Sequence, residues 1–128
     1  MKAHLLILLI GAAMVCGCSR NAQLRKAAVD ALRKSSTCDL KADATTLWAK
    51  HASSDSFDIP EADWPHSFSG FNPARVFRDS SGIYIVMAKH VSHTAGVYIV
   101  VKNGHIPKDA PNVSHERLSE GIFWTLGS

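Results

Sequence analysis

The residues of this chain whose types could do chemistry are mostly histidines. There are seven, and four of them, His90, His93, His105 and His115, fall after residue 89. A cluster of imidazoles is a common beginning of a zinc or copper site. His90-Val91-Ser92-His93, however, lies between two strand-like segments, not along one helix face. That segment supplies no carboxylate or thiolate of its own to complete a ligand set. Solvent-exposed loop histidines are the expectation, and no metal, cofactor or catalytic residue is assigned. Cys38 as a nucleophile would need a histidine partner and an activating environment; the sequence names neither, so a buried thiol is expected, or else one paired between chains. Asp58, Glu61 and Asp63 are neighbours in a loop-like stretch and read as solvated acids. No glycine-rich phosphate loop, nucleophile elbow or paired-carboxylate spacing occurs. Asn112-Val113-Ser114 fits a glycosylation sequon.

The N-terminus is more specific. Met1-Lys2-Ala3-His4 is a short charged start, and the uncharged run from Leu5 to Val15 follows it. A membrane-spanning helix needs about 20 apolar residues, so this run is too short to span. It has the length and position of a signal-peptide core. Val15-Cys16-Gly17-Cys18 then resembles the lipobox of bacterial lipoproteins: an aliphatic residue, a small residue, Gly or Ala, and the acceptor cysteine. Reading Cys16 as acceptor would put bulky Val15 where the pattern wants Gly or Ala, so the resemblance implies lipidation of Cys18. It covers residues 1–19 only. It implies a signal peptide over residues 1–17, a lipid anchor and short tether over 18–20, and a single globular domain over 21–128. Several acyl chains on one cysteine, palmitate-like in character, would make the membrane attachment stable. Ser19 stands after the acceptor where an Asp would resemble inner-membrane retention, so the periplasmic face of the outer membrane is the implied location. With Cys18 acylated and Cys16 removed, Cys38 has no partner within the chain, and an internal disulfide framework is excluded.

Composition narrows the remaining classes. Hydrophobic residues make up 46% and charged residues 20% of the chain, a globular balance rather than a disordered one. The formal charge of +3 includes Lys2 of the cleaved segment, and acids are scattered among the bases. That excludes the basic stripe of a nucleic-acid partner.

The elements that must position any site can be read in outline. Leu24, Ala27, Ala28, Ala31 and Leu32 recur at helical spacing over Asn21 to Lys34, ended by Ser35-Ser36-Thr37. A second helix follows Asp39, with Leu40, Ala44, Leu47, Trp48 and His51 on one side. Periodicity disappears from Ala52 to Pro73, although a helical turn near Glu61–Trp64 and the aromatics Phe57, Trp64, Phe68 and Phe71 suit a packed connection. Val76-Phe77, Ile83–Ala88, Val97–Val101 and Gly121–Leu126 read as strands, and Asn103-Gly104 as a hairpin turn. Tyr84, Tyr98, Phe123 and Trp124 are expected in the core rather than in a ligand groove. The predicted architecture is α+β, two N-terminal helices packed on a small antiparallel sheet of three or four strands.

Ser80-Ser81-Gly82-Ile83-Tyr84 resembles the Ser-Gly…Tyr motif of lipoprotein lysozyme inhibitors. Those are all-β barrels commonly stapled by disulfides, whereas this chain has a helical first half and one spare Cys, so no residue is carried across. The functional expectation is a lipid-anchored envelope protein, a non-catalytic binding or assembly module for another envelope protein or cell-wall component. The alternative is a small metal-binding or hydrolytic envelope protein using the second-half histidines. Convergence of His90, His93, His105 and His115 in space would favour the alternative.

Overall fold

The computed structural model describes residues 20–53, 57–89 and 93–127. The lipobox cysteine Cys18, the signal segment and His90 lie outside the described residues. Helix α1 runs through residues 20–34. Its Ala28, Ala31 and Leu32 are buried, one stripe at helical spacing. Two residues later α2 begins, spanning Thr37–Lys50. Ser36 caps it, its side chain accepting the Asp39 N–H at 3.3 Å. Asp39 in the first turn and Lys50 in the last complement the helix dipole. Two 3-10 helices follow, Glu61–Asp63 and His66–Phe71. The second is opened by Pro65 and buries Phe68 and Phe71 almost completely.

The rest is one antiparallel sheet of five strands: β1 (Arg75–Arg78), β2 (Gly82–Lys89), β3 (Thr94–Val100), β4 (Val113–Ser119) and β5 (Ile122–Gly127), in the order β1-β2-β3-β5-β4. β2 and β3 pair from Gly82↔Val100 to Lys89↔Thr94, with a bulge between Val86 and Ala88. One face carries Val76, Ile83, Ile85, Val97, Ile99, Ile122 and Trp124 into the main core, with Leu40, Leu47, Phe68 and Phe71 packed against them. Arg25 of α1 clamps that helix to β4 through a two-bond ion pair with Glu116, 2.7 and 2.8 Å. The pair holds the Glu116 carboxyl below its ordinary range and raises Arg25. Among the described residues no helix is long and apolar enough to cross a membrane.

This corrects the expected architecture. The sheet has five strands, not three or four, and the helical layer has a third piece in His66–Phe71 beside the two long helices. The missed strand is β4. Its sequence, Val-Ser-His-Glu-Arg-Leu-Ser, has no apolar run because it is an edge strand, half-exposed along most of its length. The Asn103-Gly104 turn forms, with Gly104 at φ +77° and the His105 N–H on the Lys102 carbonyl. It does not return a hairpin partner to β3, whose second neighbour is β5.

Candidate functional site

Among the described residues, the second-half histidines sit on separate parts of the sheet end and its loops. His93 stands just before β3, His105 is exposed in the turn after it, and His115 is on β4. Among the described residues no three of His, Cys, Asp and Glu come together as a metal would require. Cys38 is exposed in the first turn of α2, against the expectation of a buried thiol. The reason is its helical phase: Leu40, Ala44 and Leu47 point inward, and position 38 falls on the other side. The acids of the connection are not simply solvated. Asp58 pairs with Arg75 on β1, and Asp63 pairs with Lys50 at 3.2 Å. His51 Nε2 also approaches Asp63 to 3.2 Å, but without the geometry of a formed hydrogen bond. These contacts tie the loop to α2 and the sheet.

The sheet's second face holds an aromatic row. Phe77 meets Tyr84 edge-on at 5.1 Å, Tyr84 lies 6.5 Å from Tyr98, and His115 stands 6.2 Å from Tyr98 and 6.4 Å from Phe123. The two tyrosines are nearly buried, and each hydroxyl finds a partner, as burial requires. Tyr84 reaches across β3 to the Thr125 carbonyl on β5 at 3.1 Å, passing beside Gly96, whose register partners are Val86 and Thr125. Tyr98 crosses the other way, over Gly82, to donate to Asp79 at 2.6 Å. The same Asp79 oxygen accepts the N–H groups of Ser81 and Gly82, at 2.8 and 2.9 Å. Burial raises both tyrosines above their ordinary pKa, and Asp79 adds to the rise at Tyr98. His115 is held below its ordinary value, chiefly by burial, with Asp109 opposing and His105 reinforcing the fall. Its Nδ1 is 2.8 Å from Thr125 Oγ1. The two tyrosine hydroxyls and His115 Nδ1 are all engaged within the sheet and its β1–β2 turn, which reads as a structural row.

The chain itself covers β1 and the first half of β4. The His115 N–H donates to Asp109 and the Val113 N–H to the Ala110 carbonyl, which covers the first half of β4. On β1, the Arg78 N–H takes the Phe57 carbonyl and the Val76 carbonyl takes the Ile59 N–H. Strand addition at these positions has no free backbone to use.

What remains is a pocket of about 270 Å³ at one end of the strands. The end of β2, the start of β3, the end of β5 and the start of β4 form its walls, and Asn21 of α1 forms its rim. Its hydrogen-bonding groups are Asn21, His93, Thr94, Asn112 and Ser114; its apolar ones include Ala88, Pro111, Val113 and Leu126. Among the described residues, no Asp or Glu lines it. Gly127 leaves the Thr94 hydroxyl room, since a Cβ there would stand 2.8 Å from Thr94 Oγ1. Nucleophilic catalysis needs a hydroxyl hydrogen-bonded to its base; Thr94 Oγ1 instead faces the Tyr84 hydroxyl at 3.3 Å. The pocket is equipped to bind a small neutral or anionic group. Sequence reasoning missed it because its residues come from four strands and a helix. The one local signal, Asn112-Val113-Ser114, read only as a sequon. Compared with known proteins, the chain matches no family model, no curated protein and no solved structure.

Proposed function

We propose that this chain is a lipid-anchored bacterial envelope protein whose domain is a non-catalytic binding or assembly module. Cys18 is the acylated residue, and the periplasmic face of the outer membrane is its place. The observation that carries this reading is Val15-Cys16-Gly17-Cys18 directly after an apolar run too short to span a bilayer. The small strand-end pocket supports it, because it gathers amide, hydroxyl and imidazole groups from four strands and α1. The test is Cys18→Ser, expressed in a diderm bacterium and fractionated. The variant is expected to lose its lipid and either stay unprocessed or leave the membrane fraction. Normal processing with unchanged membrane association would place the anchor elsewhere and reject the reading.

A further inference from the structure

We infer that the strand-end pocket faces the bilayer that holds Cys18 and takes the phosphate-bearing headgroup of one of its phospholipids. The inference rests on Cys18 being the lipidated residue, and it adds what that residue's position does to the domain. Asn21, on the pocket rim, is three residues beyond Cys18. Three residues span at most about 10 Å even when extended. Arg20 is already helical, and only Ser19 lies between it and Cys18. An acylated Cys18 therefore holds Asn21, one of the residues that line the pocket, within about that distance of the lipid surface. The turn ends of the strands, at Ser81 and Gly121, lie a strand length away, roughly 20 Å for the seven residues of β3.

The lining carries the groups a headgroup needs. Asn21, His93, Thr94 and Ser114 bring donors, and among the described residues no carboxylate of the lining repels a phosphate. Arg20, exposed beside Asn21, adds a fixed positive charge on the anchor side. Pro111, Val113 and Leu126 supply an apolar wall for the glycerol end. The volume of about 270 Å³ falls below the roughly 300–1,000 Å³ of drug-sized ligand sites, enough for a headgroup but small for a cofactor. The first half of β4, which borders the pocket, has its outward N–H groups already used, which argues against an extended peptide pairing there.

The test uses the full lipidated protein in nanodiscs of phosphatidylethanolamine and phosphatidylglycerol, with a trace of lipid carrying a nitroxide on its headgroup. Amide signals of Thr94, Ala110, Ser114 and Gly127 are expected to broaden at least threefold more than those of Ser81, Gly82 and Gly121. Two variants sharpen the reading. Inserting a twenty-residue Gly/Ser tether between Ser19 and Arg20 is expected to keep the protein in the disc and reduce the difference to the part that headgroup binding alone sustains. Ala110→Trp, which fills the pocket, is expected to halve the broadening at Thr94 and Gly127 and leave that at Arg20 unchanged. Uniform broadening, or broadening at the turn end, in a protein that stays in the disc overturns the inference and leaves the anchor standing. Broadening at the pocket end that Ala110→Trp does not reduce overturns headgroup binding. A protein that carries no lipid and leaves the disc overturns the anchor and the inference with it.

Discussion

Replacing Tyr98 by Phe removes one oxygen and leaves the ring. Its hydroxyl donates to Asp79 at 2.6 Å, and the ring is almost buried beside Gly82. A hydrogen bond to a charged acceptor contributes about 1.5–3 kcal/mol. Asp79 is half-buried and keeps the Ser81 and Gly82 N–H groups, so the low end applies, about 1.5 kcal/mol. For a domain of this size that is a fall of roughly 6 °C in Tm, at about 4 °C per kcal/mol. Asp79→Ala is expected to cost more, about 3 kcal/mol, because it also strands two backbone donors in the β1–β2 turn. Since both changes break the same bond, Tyr98→Phe made on top of Asp79→Ala is expected to add less than about 0.5 kcal/mol. Thermal unfolding followed by near-ultraviolet circular dichroism reads the packing of these rings directly. Equal losses from Tyr98→Phe in both backgrounds would refute the idea that Asp79 and Tyr98 lock the turn to the sheet.

Gly96→Ala should be among the most damaging single changes. A Cβ there would sit 2.0 Å from the Ile85 carbonyl oxygen, which is backbone of the neighbouring strand and cannot swing aside. A loss above about 3 kcal/mol is expected, and a soluble variant with unchanged Tm would contradict the β2–β3 register. His115 gives a pH signature. Burial depresses its folded pKa, so the unfolded chain takes up the proton first, near pH 6.5. Stability from this group is complete above that pH and declines as pH falls from there toward the folded value. His115→Gln is expected to flatten the slope between pH 7 and 5.5, and an unchanged slope would assign it to other groups.

The parts of the fold that show in the sequence are those whose burial is one-sided or complete. α1 shows because Leu24, Ala28, Ala31 and Leu32 keep helical spacing. β2 and β3 show because both faces are covered, so Ile83 to Val86 and Val97 to Val100 are continuously apolar. β4 is hidden for the opposite reason. An edge strand with Glu116 turned to Arg25 and His115 turned to the aromatic row needs no hydrophobic pattern. Phe68 and Phe71 hint that the connection packs, but a six-residue 3-10 helix has too few turns to show a period. Cys38 is misjudged because a lone thiol carries no phase information until α2 is known to start at Thr37. The pocket is invisible in one dimension, since Asn21, His93, Asn112 and Leu126 are joined only by the strand order.

Everything functional in this account depends on the fate of one residue, and intact mass spectrometry of the protein from the membrane fraction tests it directly. The expected species begins at Cys18, lacks residues 1–17 and carries a diacylglycerol-plus-acyl increment, with tandem fragmentation placing that mass on Cys18. An unmodified N-terminus, or one that retains Leu5 to Val15, would contradict the lipid anchor.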